Sequence, residues 1–167
     1  MSTTFHANAC KTTLFAALLD AADAHGHNKP IIEDVERQPL TYGRLILASL
    51  VLGGELAKLT RRTEAVGLML PNVNGMVVTL FGLNAFGRVA ALLNFSSGLK
   101  NLQSTILTGA IRTLVTSRRF IATAKLEDVI GNLATLEVAP GKTLEILYLE
   151  DIRKRIGLKA KLAGMLK

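Results

Sequence analysis

The sequence predicts an α/β fold, a mostly parallel sheet built from βαβ units and preceded by a helix and a β-hairpin. Three observations carry that prediction. Short apolar runs at Val66–Leu70, Val89–Leu93 and Thr113–Val115 recur about 23 residues apart. Each gap between them is long enough for a crossover helix, which parallel pairing requires. The runs are continuously apolar and do not alternate, as expected of strands covered on both faces.

The elements follow in order. Residues 1–11 have no periodicity and read as a leader or the remnant of a tag. From Thr12 the apolar positions Leu14, Phe15, Leu18, Leu19 and Ala22 recur at helical spacing. Thr12 or Thr13 is placed to cap this helix and Gly26 to end it. Two short extended runs, Pro30–Asp34 and Gln38–Thr41, flank a charged turn and predict a hairpin. A helix over 42–59 follows, apolar on more than one face and so well buried. After the Thr60-Arg61-Arg62 break come the three strands and their helices. One helix turns Leu102, Ile106, Leu107 and Ala110 inward; the next uses Leu126, Val129, Ile130 and Leu133. A fourth strand spans Leu144–Leu149. Residues 12–167 form a single (sub)domain closed by a basic amphipathic helix over 151–167, where Ile152, Ile156, Leu162 and Leu166 alternate with Arg153, Lys154, Arg155, Lys159 and Lys161.

Composition excludes several classes. Of 167 residues, 49% are hydrophobic and 20% charged, which is incompatible with disorder. The mean hydropathy of +0.34 implies either deep burial or apolar surface meant for a partner. The one cysteine, Cys10, rules out an intrachain disulfide. Met76–Phe95 approaches transmembrane length, yet Asn84, Arg88, Gly82 and Gly87 interrupt it, and a buried helix followed by a buried strand explains it better. The net charge of +7 suits nucleic acid or anionic lipid. The chain has no Trp and only two Tyr, so base-stacking platforms are missing. Much of the excess charge lies in the last sixteen residues. No nucleic-acid partner is expected, whereas the closing helix suits an anionic membrane surface or a following domain.

Motifs that suggest chemistry are each met by a plainer reading. Asn94-Phe95-Ser96-Ser97-Gly98-Leu99-Lys100 follows a strand and opens a helix, a natural place for an anion. It lacks the Gly-x4-Gly-Lys spacing of a phosphate loop, and Ser96 or Ser97 as a helix cap accounts for it. His25-Gly26-His27, with His6 or Cys10, has metal-ligand residue types, but histidines around a glycine at a helix end more often cap it. Glu33, Asp34 and Glu36 are expected as solvated acids on the hairpin turn, and Asp151 as a cap of the last helix. No catalytic, cofactor-binding or metal-binding residue follows from these patterns. Asn72, Asn94 and Phe95, at predicted strand ends where ligands of open α/β sheets gather, are candidates for lining a cleft.

A resemblance carries the reading further. Leu40-Thr41-Tyr42-Gly43-Arg44-Leu45 is similar to the segment that opens the first long helix of adenylate-forming enzymes, the acyl-CoA synthetases and luciferases. Val66-Gly67-Leu68-Met69-Leu70-Pro71-Asn72 resembles their next strand with its Leu-Pro-Asn ending, and Leu83–Val89 their helix-to-strand step. Ile111–Ser117 continues in register. Leu92–Phe95, Lys100–Leu102, Thr116–Phe120 and Leu147–Asp151 together resemble one branch, the acyl-[acyl carrier protein] synthetase domain of bifunctional 2-acylglycerophosphoethanolamine acyltransferases. The likeness spans Thr12 to Lys167.

This resemblance implies the N-terminal subdomain of that fold, and a parent that uses ATP and Mg²⁺ to form an acyl-adenylate from a fatty acid. The acyl group then passes to a carrier thiol and on to a lysophospholipid. Implied partners are the rest of the synthetase or a second copy, fatty acyl substrate and acyl carrier protein, in the cytoplasm or at the inner face of the membrane. The family's phosphate loop ending in Pro-Lys-Gly, its Tyr-Gly-x-Thr-Glu, its ribose-binding Asp and its C-terminal Lys have no counterpart here. The chain by itself is therefore expected to lack synthetase activity, and a noncatalytic assembly module keeping the same fold is the competing expectation.

Overall fold

The computed structural model describes residues 11–35 and 37–165, with side chains as far as residue 157. Helix α1 (Leu14–His25) begins where Thr13 Oγ1 accepts a hydrogen bond from Ala16 N at 3.1 Å. It turns Leu18 and Ala22 inward and stops at Gly26, whose φ of +93° suits a residue without Cβ. Strands β1 (Pro30–Ile32) and β2 (Leu40–Thr41) pair antiparallel, giving the expected hairpin. Thr41 then caps α2 (Tyr42–Leu56) by accepting from Arg44 N. Gly43 N donates to His27 O at 2.9 Å, so the start of α2 is pinned to the loop after α1.

The core is a four-stranded parallel sheet in the order β4–β3–β5–β8: β3 (Ala65–Leu68), β4 (Val89–Leu92), β5 (Thr113–Thr116) and β8 (Glu145–Tyr148). β3 is central because its neighbours in sequence, β4 and β5, flank it on opposite sides. Leu52 and Leu56 of α2, Leu83 of α3 (Asn74–Ala85), and Leu149 and Ile152 of α7 (Leu149–Met165) pack with Val66, Leu68 and Val115 on one face. On the other face Leu114 meets α4 (Leu99–Thr108) through Leu102 and Ile106, α5 (Arg118–Ala124) through Phe120 and Ile121, and α6 (Glu127–Ala134) through Ile130 and Leu133. Successive residues Leu114 and Val115 thus serve opposite layers, as the pleat dictates.

Helices α2 and α3 cross in near backbone contact. A Cβ on Gly53 would lie 2.8 Å from Gly82 C, and one on Gly82 would lie 2.9 Å from Ser49 O. Only glycine at both positions allows this approach. Arg88 locks the far end of the same pair. Its guanidinium donates to Ala57 O (2.7 Å), Thr60 O (2.6 Å), Thr60 Oγ1 (3.1 Å) and Phe86 O. The polar residue that argued against a membrane span is therefore the clasp between the end of α2 and the turn after α3. Among the described residues no helix is long and apolar enough to cross a membrane.

Several expectations need correction. The apolar run at 89–92 is not covered on both faces: β4 is an edge strand, and Val89 and Leu92 remain 56% and 59% exposed. The helical pattern before β8 contains two helices, because Lys125 adopts a left-handed conformation (φ 55°) that breaks α5 from α6. An extra hairpin, β6 (Glu137–Ala139) with β7 (Lys142–Thr143), turns at Pro140-Gly141. The last helix begins at Leu149, so Asp151 lies inside its first turn and does not cap it. Asp34 is more than a solvated turn acid: its Oδ2 accepts from Asn74 N at 3.1 Å and caps α3 across forty residues of chain. Glu36 lies outside the described residues.

Candidate functional site at the carboxyl edge of the sheet

The carboxyl ends of four parallel strands converge on one edge, and ligands of open α/β sheets bind there, where the strand order reverses. In this sheet the reversal lies between β3 and β5. Beyond the end of β3 the chain remains tied to β5 by Met69 N to Val115 O (3.0 Å) and by Thr116 Oγ1 to Met69 O (2.8 Å).

The sequence candidates all reach this edge, with different roles. Asn72 is exposed after β3, at the entrance to α3. Asn94 follows β4 and organises the next turn, its Oδ1 accepting from Ser96 N (3.1 Å) and Ser96 Oγ (2.7 Å). Phe95 packs edge-on against Phe120 of α5, ring centres 5.0 Å apart at 77°. Phe95 and α5 are thereby brought together across the strand between them.

The serine loop is not built for phosphate. Asn94, and neither serine, caps the short 3-10 turn Phe95–Ser97, while α4 has Gly98 in its cap position and no side-chain cap. Ser96 Oγ is spent on Asn94, and Ser97 Oγ donates to Asn94 O at 2.8 Å. With both hydroxyls turned onto Asn94 and one glycine in the loop, it lacks the successive glycine-spaced amides and the free Ser/Thr hydroxyl of a phosphate loop.

Sequence reasoning missed the polar cluster at the ends of β5 and β8. Ser117 Oγ donates to Glu150 Oε1 at 2.8 Å and accepts from Phe120 N at 3.3 Å, capping α5. Arg119 N adds a second donor to Glu150 Oε1 at 3.2 Å. Arg118 lies 3.9 Å over the ring of Tyr148 and pairs with Asp151 Oδ2 at 2.8 Å. Burial pushes the Glu150 carboxyl up, but the Ser117 hydroxyl and the backbone N–H groups of Glu150, Arg118 and Arg119 outweigh it and hold the group at about 2. The Asp151 hydrogen bond raises Arg118 above its ordinary value against a smaller effect of burial, and the same bond lowers Asp151. At neutral pH Glu150 is a fixed anion, suited to holding two strand ends and unsuited to donating a proton. The available signal was Ser117 three residues before Phe120, a capping spacing.

The remaining candidates are structural or lie outside the described residues. His25 stacks on Tyr42 at 6.3 Å, and His27 Nε2 lies 3.1 Å from Asp23 Oδ1. His6 and Cys10 are not described, and among the described residues no three His, Cys, Asp or Glu converge on a point. Arg153, Lys154 and Arg155 are exposed on α7; the side chains of Lys159 and Lys161 fall outside the description.

This architecture is the one met in N-terminal domains of adenylate-forming enzymes. The chain is similar to the N-terminal domain of FACL13 from Mycobacterium tuberculosis, with 15% identity and a TM-score of 0.71 over 87% of this chain and 36% of that one. It is likewise similar to a Mycobacterium tuberculosis fatty acyl CoA synthetase (14% identity, TM-score 0.70, 86% of this chain and 28% of that one). A third match is VinN in complex with 3-methylaspartate (20%, 0.69, 87% and 37%). The chain thus spans roughly a third of the length of the structures it matches. No protein-family model matches the sequence.

Proposed function

We propose that the chain is the opening segment of an acyl-activating, adenylate-forming enzyme, within the branch that loads acyl groups onto acyl carrier protein for phospholipid acylation. The observation that carries the coarser half is a coincidence of motif and place. Val66–Asn72, the run that resembles the family's Leu-Pro-Asn strand, is the central strand of a sheet whose fold superimposes on FACL13. The finer half rests on Leu92–Phe95, Thr116–Phe120 and Leu147–Asp151, the residues that resemble the acyl carrier protein synthetase branch.

In this reading the segment supplies scaffold and one wall of a cleft, with Asn72, Asn94 and Phe95 on the wall. ATP, Mg²⁺ and the fatty acid are handled by residues beyond it, and the parent works in the cytoplasm or at the inner face of the membrane. The phosphate clamp that stabilises transferring charge in such chemistry is absent from these residues. ATP–pyrophosphate exchange with a fatty acid is the direct test. The chain alone gives none, and measurable exchange overturns the assignment of the missing parts. Reading the gene past Lys167 tests the parentage; a frame that continues into a Pro-Lys-Gly phosphate loop supports it.

A second reading is a free-standing assembly module. The open edge of β4, with Val89 and Leu92 more than half exposed, favours it, since two copies could pair edge to edge about a two-fold axis. Light scattering that shows a monomer whose mass does not change with concentration rejects this reading.

A further inference from the structure

We propose that the groove between α1 and the turn after α3 binds an amphipathic oxyanion, a carboxylate or phosphate head on an apolar tail. The groove lies where β3 and β4 begin, at the opposite end of the sheet from the carboxyl-edge cluster. The inference therefore stands apart from the function proposed above. The groove has a volume of about 510 Å³, within the roughly 300–1,000 Å³ common for small-molecule sites. Phe15 and Leu19 of α1, with Phe86 just after α3, give it apolar walls. Leu19 remains 38% exposed on that wall.

The polar groups that line it have donors to spare. The Arg62 guanidinium has no ion pair or hydrogen bond among the described residues. Thr13 Oγ1 accepts from Ala16 N at 3.1 Å, which leaves its own O–H unspent. Asn84 gives one amide hydrogen to Leu80 O at 3.0 Å and keeps the other. No Asp or Glu lines the groove. Glu64, the acid nearest Arg62 in sequence, already accepts from Arg61 N (2.7 Å) and Thr113 Oγ1 (2.8 Å). Asp20, a turn beyond Ala16 on α1, lies outside the lining. A guanidinium beside a hydroxyl, with no acid to answer them, matches an oxyanion.

Arg62 is also held in place. Thr63 N donates to Gly87 O at 2.7 Å, tying the loop after α2 to the turn after α3. The Arg62 side chain lies along that turn, where a Cβ on Gly87 would stand 3.5 Å from its Cγ and Nε. The tie comes with Thr63 at φ 64°, a left-handed conformation that a β-branched residue adopts at a cost. Strain of this kind gathers at ligand sites, where a group must be held in position. Cavity, unspent donors and strained tie thus converge on one residue. A second copy or a further stretch of chain would have to bring an oxyanion to the same spot, whereas a small amphiphile supplies head and tail together.

The test is calorimetric titration of the full chain with octanoate, octyl phosphate, octylamine and acetate. At least one octyl anion binds with a Kd on the order of 0.1–1 mM. Tighter binding of octanoate assigns a carboxylate head, and tighter binding of octyl phosphate a phosphate. Acetate, which lacks the tail, binds at least about tenfold more weakly, and octylamine does not bind. Arg62→Gln weakens the anion about tenfold or more, and Arg62→Lys recovers part of that loss. Arg61→Gln, outside the groove, has no effect. Amide NMR shifts on titration fall at Ala16, Arg62 and Gly87, and circular dichroism checks each fold. Absence of binding by both octyl anions, equal binding of octylamine, or affinity unmoved by Arg62→Gln overturns the proposal. So does a set of shifts confined to other residues, which would place the anion at a different cation.

Discussion

Ser117 and Glu150, thirty-three residues apart, meet through a 2.8 Å hydrogen bond that fastens the carboxyl ends of β5 and β8. Because the bond favours the ionised carboxylate, the folded state holds Glu150 at about 2, against 4.5 for an ordinary glutamate. A depressed carboxyl stabilises the fold fully above pH 4.5 and loses that contribution as pH falls toward 2. Glu150→Gln should therefore be less stable than wild type by a constant amount above pH 4.5, with the gap closing between pH 4.5 and 2. Denaturant unfolding followed across that range checks it; a gap independent of pH would show that the charge is irrelevant.

Arg88 should be intolerant of conservative change. Its guanidinium serves three acceptors at the end of α2 and a fourth, Phe86 O, after α3, and an ammonium cannot reach the same fork. Arg88→Ala and Arg88→Lys are each expected to cost about 2–3 kcal/mol, read from urea unfolding midpoints. A Lys variant as stable as wild type would mean that charge alone suffices.

At the α2–α3 crossing two substitutions should act in opposite directions. Gly82→Ala drives a methyl against Ser49 O and should destabilise by ~3 kcal/mol. Ser49→Ala removes a fully buried hydroxyl that has no hydrogen-bond partner among the described residues. It should stabilise by about 1 kcal/mol, since Ala also has the better helix propensity. Thermal unfolding of the two variants gives the signs directly.

Asp34→Ala tests the cap that the hairpin lends to α3. Val73, in the cap position, provides no side-chain hydrogen bond, so the remote carboxylate takes its place. Its loss should cost about 1 kcal/mol, and Asp34→Asn, which keeps an acceptor, should cost less. Hydrogen exchange at the first turn of α3 should rise in both variants.

These relationships explain what could be read in the sequence. Strand positions and the hairpin follow from local patterns: apolar runs at Val66, Val89 and Thr113, Thr13 as a cap, Gly26 as a stop. The break at Lys125 was hidden, because a left-handed lysine carries no compositional mark. The β6–β7 hairpin did leave a trace in Pro140-Gly141, overshadowed by the strand that follows it. At the carboxyl edge, Asn94 and Phe95 were legible as strand-end residues. Glu150 with Ser117, and Asp34 with Asn74, depend on contacts 33 and 40 residues apart, and no local window contains both partners.

The order of strands also sets a schedule for synthesis. Central β3 pairs with β4 at once, but its other edge waits for Thr113–Thr116, some two dozen residues further along. At roughly 5–20 residues per second on the ribosome, β3 spends on the order of 1–5 seconds with one row of amides unpaired and Gly67 uncovered. A chaperone that recognises nascent chains would meet an apolar target in that interval, and slow codons between Gly98 and Ile111 would lengthen it.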